Sequence, residues 1–231
     1  MYNELCEKHE NNRDAEIHLL GFSRGAFAVR CLACLIEDVG LLRKDFRTKN
    51  FKYIYKDWES QNKVNMKIWE TKRGEQAFYP VTITSCGVWD TVSALFPSYT
   101  LAFVNDRVPE KLGFAFQALA LHERRHKYNP VLWKRIRNQE TCIHQSWFAG
   151  DHSDIGGGWP DCGLANLTLI WMLAQYKRYF PDLVIKCDRL YERLCPPSAG
   201  WPSLSYTLCQ GMCCKGAQAM RLSTNVCLQG M

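Results

Sequence analysis

The hydrophobic pattern changes period at Phe22. Glu16 to Phe22 sets Ile17, Leu19 and Leu20 between charged residues, which reads as a short strand. From Gly25 to about Asp38, small and apolar residues (Ala26, Phe27, Ala28, Val29, Leu32, Ala33, Leu35, Ile36) recur at helical density, and Gly40 is well placed to stop the helix. Residues 1–12 read as the end of a preceding helix. Residues 43–79 are polar, aromatic and helix-compatible, with Trp58 and Trp69 on one candidate face, so helices covering a sheet or forming a lid are expected there. After Pro80, the β-branched run from Val81 to Trp89 predicts a buried central strand ending at Asp90.

Further along, "LGFAFQALALHERRH" (112–126) predicts a helix, and "CIHQSWFA" (142–149) a strand that enters the loop Gly150 to Gly158. Leu164 to Tyr179 is a strongly apolar helix. Strands alternating with helices imply an α/β domain with a mainly parallel sheet and flanking helices. In such sheets, functional groups gather where strands end. Residues 1–195 read as one domain, without repeats or a dividing linker. The segment 196–231 is rich in Pro, Gly, Ser and Cys with no sustained period, and is expected to be an irregular, poorly packed tail.

Composition narrows the picture only modestly. The 231 residues are 47% hydrophobic and 23% charged, an ordinary globular balance. The net charge of +6 favours anionic partners, but 29 basic and 23 acidic residues are mixed along the chain, so a negatively charged lipid surface fits as well as nucleic acid. Neither a signal peptide nor an apolar run of the roughly 20 residues needed to span a bilayer is evident, and a cytoplasmic location is expected. Twelve cysteines lack the spacing of a disulfide framework and read as reduced core thiols. Cys31 and Cys34 match C-x-x-C but lie in an apolar helix with no second ligand pair, and Cys209, Cys213 and Cys214 have no partner histidine. No metal or cofactor is expected.

The chemistry concentrates at Gly21-Phe22-Ser23-Arg24-Gly25. A serine hydroxyl needs an adjacent base and donors for the oxyanion before it can act as a nucleophile. G-x-S-x-G between a strand and a helix offers the strained turn, and the helix N-terminus offers the Arg24 amide as an oxyanion donor. The bland alternative is an ordinary serine in a glycine turn. Two later strand ends supply partners: Asp90, and His152 in its glycine-bounded loop, giving the chain order Ser, Asp, His that α/β-hydrolases use. Asp90 could instead cap a helix starting at "DTVSAL", Asp151 or Asp154 could replace it as the orienting acid, and His144 is a competing base whose mid-strand position suits a core residue better. The basic segment "HERRHKYNPVLWKRIR" (122–137) reads first as a solvated helix face, then as a phospholipid-headgroup or nucleic-acid contact.

Together, "GFSRGAFAVRCLACLIEDVGLL", "CGVWDTVSAL", "FAFQALALHERRHKYNPVLW", "QSWFAGDHSDIGGGW" and "LANLTLIWMLAQY" resemble the α/β-hydrolase domain shared by many fungal proteins and by the type VI secretion phospholipase effectors of bacteria. The resemblance spans about residues 16–180. It implies a Ser-Asp-His esterase acting on lipid or other esters, with the nucleophile at Ser23, the orienting acid at Asp90 and the base at His152. Peripheral contact with an anionic membrane follows as an expectation, and nucleic acid is not an expected partner. Two positions depart from the family pattern. Asp151 replaces an apolar residue before the histidine and adds a charge that would raise its pKa or compete for it; His122 replaces an acidic residue. Family members also carry strands upstream of the nucleophile, so the sheet is expected to be incomplete at the N-terminus. That leaves a catalytically inactive remnant or interaction module of the same fold as the alternative to an active enzyme.

Overall fold

The computed structural model describes residues 1–78, 81–93, 99–134 and 140–186. Helix α1 (Tyr2–Asn11) leads to strand β1 (His18–Phe22), which turns directly into helix α2 (Arg24–Val39). A two-residue strand β2 (Leu41–Leu42) and helices α3 (Lys44–Glu59) and α4 (Lys63–Arg73) follow, then β3 (Ala77–Phe78), which pairs antiparallel with β2. Strands β4 (Ile83–Trp89), β5 (Leu112–Ala120) and β6 (Cys142–Phe148) complete the main sheet, with the short helix α5 (His152–Gly156) and the long helix α6 (Gly163–Tyr179) after them. The sheet order is β1-β4-β5-β6, and every pairing in it is parallel.

Side chains alternate across a strand, so one strand feeds two cores. Ile17, Leu19, Cys86, Val88 and Ala115 face α2, whose Ala26, Phe27, Val29, Leu32, Ala33 and Ile36 are buried in the same cluster. Phe116, with the partly buried Leu20 and Phe114, packs instead on Met172 and Tyr176 of α6. The result is three layers, helix on both faces of a parallel sheet, and the two central strands are apolar on both sides. Arg30, in the middle of α2, is only 1% exposed. Its guanidinium donates to the backbone carbonyls of Asn105 and Val131 and lies 4.6 Å from the Trp133 ring, so it ties two loops to the helix. Burial lowers its pKa to about 10.

The helices and strands expected around residues 1–12, 16–38, 43–79, 81–89, 142–149 and 164–179 are present with shifts of a few residues at their ends. Residues 112–126 are not a helix. Leu112–Ala120 is the strand β5, and the described part of the basic segment that follows, to residue 134, is a loop with one 3₁₀ turn at His126–Tyr128. Ala, Leu and Gln favour helix locally, but β5 lies between two strands and is buried on both faces, where packing overrides propensity. After Asp90, residues 91–93 are not helical, and the expected tail at 196–231 lies outside the described residues. Among the described residues, no helix is long and apolar enough to cross a membrane.

Candidate active site

Ser23 occupies the junction between β1 and α2. Its backbone is held at φ 58°, ψ −122°, where a residue with a side chain is strained. The turn is close because Gly21 permits it: a Cβ there would come within 2.6 Å of the Gly25 carbonyl oxygen. The Ser23 amide donates to the Trp89 carbonyl at 3.0 Å, which fixes the turn to the end of β4. Arg24 is the first residue of α2 and is exposed, so its amide lies at the positive end of the helix beside the serine.

Asp90 follows β4, fully buried, with φ 41°. Its Oδ1 accepts the Ala120 amide at 2.9 Å, and its Oδ2 accepts from His152 Nδ1 at 2.7 Å. His152 Nε2 in turn lies 2.7 Å from Ser23 Oγ. The carboxylate, imidazole and hydroxyl therefore form one hydrogen-bonded line across the C-terminal ends of β1, β4 and β6. With Nδ1 donating to the carboxylate, Nε2 is left to accept the serine proton. The imidazole is 5% exposed as a residue, stacked on Phe22 (centroids 4.7 Å, 30°) and met edge-on by Tyr128 (5.0 Å, 65°). Gly156 makes room for Phe22, since a Cβ on that glycine would lie 2.1 Å from the ring.

The competing assignments separate cleanly. Asp151 does not hydrogen-bond the imidazole: its carboxylate caps α5 by accepting the Ser153 and Asp154 amides, and Asp154 reciprocates to the Asp151 amide at 2.8 Å. His144 Nε2 meets Cys142 Sγ and the Tyr179 hydroxyl (2.8 Å) on β6, away from Ser23. His122 Nδ1 accepts the Gly150 amide at 3.0 Å, joining the loops that follow β5 and β6. A second serine-histidine-carboxylate set joins Ser85 of β4, His18 of β1 and Glu16 just before β1. There the hydroxyl is wholly buried and bonded also to Tyr176, so it can only knit the sheet to α6.

Other features do not enlarge this site. A cavity of about 350 Å³ lies at the α2–α4 corner, lined among others by Asp38, Trp58, Met66 and Arg107, of which Arg107 pairs with Glu37 and Asp38 and Trp58 donates to Asp38. Cys31, Cys34 and Cys86 are free thiols pushed up to about 12 by burial. Thiols so raised stay protonated and are poor metal ligands or nucleophiles.

The motif read from the sequence did not disclose Glu123. Its carboxylate accepts the His152 backbone amide at 3.3 Å and is gripped by Arg125, with Nη2 at 2.7 Å and Nε at 2.9 Å. Those hydrogen bonds hold the carboxyl down at about 2.

Comparison with known proteins bears on the same residues. A segment of 36 residues is 61% identical to the uncharacterized protein YEL023C of Saccharomyces cerevisiae, covering 13% of this chain and 5% of the yeast protein. Residues 1–175 match the family described as the catalytic domain of Tle1-like phospholipase effectors of the type VI secretion system. That match includes Ser23, Asp90 and His152 and most of the sheet with its covering helices, and the chain belongs to the Tle1-like phospholipase effector catalytic domain family.

Proposed function

We propose that this chain is a serine ester hydrolase of phospholipids, with Ser23 as nucleophile, His152 as general base and acid, and Asp90 as the carboxylate that fixes the imidazole. The observation that carries this reading is the continuous contact from Asp90 through His152 to Ser23, each link 2.7 Å long. In the first half-reaction Ser23 Oγ attacks the ester carbonyl while His152 Nε2 takes its proton, and the imidazolium is stabilised by Asp90. The tetrahedral oxyanion forms beside the N-terminus of α2, where the Arg24 amide is the donor. Collapse expels the alcohol, which receives the proton from His152. Water, activated by the same imidazole, then releases the fatty acid from Ser23.

Phospholipid as substrate class rests on the family. The loops that follow β5 and β6 and the start of α6 expose Leu121, Trp159 and Leu164, and Arg24, Arg124 and Lys127 are exposed as well, a mixture suited to peripheral contact with a lipid surface. A role confined to binding would leave both the strained serine and its 2.7 Å link to His152 without purpose.

The deciding experiment is reaction of the folded chain with a fluorophosphonate, followed by peptide mapping. Labelling at Ser23 that disappears in Ser23→Ala supports the reading, together with fatty-acid release from phospholipid vesicles by the unsubstituted chain. A folded sample that takes no label at Ser23 overturns it.

A further inference from the structure

The loop after β5 crosses to His152 and touches it at two levels. At the backbone, Glu123 accepts the His152 amide. This completes the start of α5: the amides of Ser153 and Asp154 go to Asp151, and that of His152 goes to Glu123. At the side chain, the Tyr128 ring meets the imidazole edge-on at 5.0 Å. Arg125 links the two contacts. It forks onto both carboxylate oxygens of Glu123, and its guanidinium carbon lies 3.8 Å from the Tyr128 ring centre.

The loop carrying these groups is itself tied down at both ends. Leu121 and His122 donate to the carbonyls of Phe148 and Gly150. Beyond Tyr128, the Val131 amide donates to Thr91, while its carbonyl accepts from the buried Gln117 and Arg30. Residues 121–134 therefore form a brace between the core and the loop of His152, with the Glu123 side chain only 3% exposed.

We infer that Glu123, Arg125 and Tyr128 are positioning residues for His152: a cation-centred clamp that holds the imidazole in line between Asp90 and Ser23. The inference rests on the proposed role of His152 as proton carrier. Together with Phe22, Tyr128 limits rotation of the imidazole about its Cβ–Cγ bond, while Glu123 fixes the first turn of α5 on which that bond is mounted. Arg125 neutralises the buried carboxylate and, by stacking on Tyr128, sets the position of the ring. Displacing a proton-transfer group by about 1 Å can cost about 100-fold in rate.

The test uses the full chain with Tyr128→Phe, Tyr128→Ala, Arg125→Gln and Arg125→Lys. Arg125 is half exposed, so its variants keep the measurement available if Tyr128→Ala fails to fold. Two readouts are taken: kcat and KM on a water-soluble ester, and the proton NMR signal of His152 Nδ1–H, assigned by its loss in His152→Ala. Tyr128→Phe keeps the ring and is expected to behave as the unsubstituted chain. Tyr128→Ala and Arg125→Gln are expected to lower kcat about 10-fold or more with KM within about 2-fold, and to broaden the Nδ1 signal. Arg125→Lys, which keeps the charge but not the planar fork, is expected to restore only part of kcat.

A sharp Nδ1 signal and unchanged kcat in both Tyr128→Ala and Arg125→Gln overturn the inference. A fall in Tyr128→Phe as large as in Tyr128→Ala also overturns it, because the hydroxyl rather than the ring would then be acting. If the unsubstituted chain has no esterase activity, the hydrolase reading fails while the NMR signal still decides whether the clamp orders the imidazole.

Discussion

Ser23 and Asp90 end neighbouring parallel strands, and both are bent into the left-handed region, at φ 58° and φ 41°. The bends turn the hydroxyl and the carboxylate off their strands toward the same imidazole. Each such residue costs about 1–3 kcal/mol that the surrounding fold must offset. Ser23→Gly removes the strain at one of them and the proposed nucleophile with it. The variant is expected to be more stable by about 1 kcal/mol and inert to a fluorophosphonate. Urea unfolding of the two proteins measures this; equal or lower stability of the glycine variant would mean that the serine side chain contributes more than its backbone costs.

The hydrogen-bonded line predicts an unequal ranking of substitutions. Ser23→Ala and His152→Ala are each expected to lower kcat by about 10⁶-fold. Asp90→Asn is expected to cost about 10⁴-fold, because an amide at this position no longer selects the imidazole tautomer with its proton on Nδ1. Ester hydrolysis by variants with native circular dichroism gives the ranking. An Asp90→Asn variant as active as the parent removes Asp90 from the reaction.

Much of this arrangement is legible in the sequence. The change of period at Phe22 marked the strand, the turn and the helix because β1 and α2 are locally consistent, and the strand ending at Asp90 was plain from its β-branched residues. Strand β5 was not legible. A buried parallel strand made of Ala, Leu, Phe and Gln has neither strict alternation nor β-branching, and its identity is conferred by its neighbours. By the same local pattern, Glu123, Arg125 and Tyr128 read as part of a solvated helix face. Acid-cation alternation followed by an aromatic ring was their signal, but only the approach of the β6 loop gives it meaning. Asp151 carries a clearer signal: with Asp154 three residues on, it marks a helix start.

Two glycines separate stability from function. At Gly21 a Cβ would lie 2.6–2.8 Å from backbone atoms of Gly25 and Ala26, which cannot give way without moving α2. Gly21→Ala is expected to destabilise the fold by about 3 kcal/mol. At Gly156 the obstacle is the Phe22 side chain, 2.1 Å away, and that ring supports His152. Gly156→Ala is expected to displace Phe22, lowering kcat about 10-fold while costing less stability than Gly21→Ala. Melting temperatures alongside kcat distinguish the two; the reverse order contradicts the assigned neighbours.

Glu123 makes a definite statement about acid. Its carboxyl is held at about 2, against an ordinary 4.5, chiefly by hydrogen bonds from Arg125. A carboxyl lowered on folding contributes stability that is present in full above its unfolded value. The contribution is lost as pH falls from about 4.5 toward 2. Glu123→Gln is therefore expected to flatten the loss of stability across that interval, with Arg125 partly screened by solvent so that the effect is modest. Unfolding midpoints of both proteins at several pH values between those limits measure it. Identical slopes would show that the carboxylate gains nothing on folding.

The hydroxyl and imidazole that meet at 2.7 Å are 129 residues apart in sequence, and the imidazole and its carboxylate 62 apart. Local collapse cannot bring them together. β1 must pair with β4 across the intervening helices, and β5 and β6 must join in register, a non-local assembly of the kind that folds slowly. A chain still emerging from the ribosome, or one arrested with only its first strands paired, carries Ser23 without the His152 contact on which the proposed reaction depends. On the proposed reading, reactivity at Ser23 would time the closing of the whole sheet.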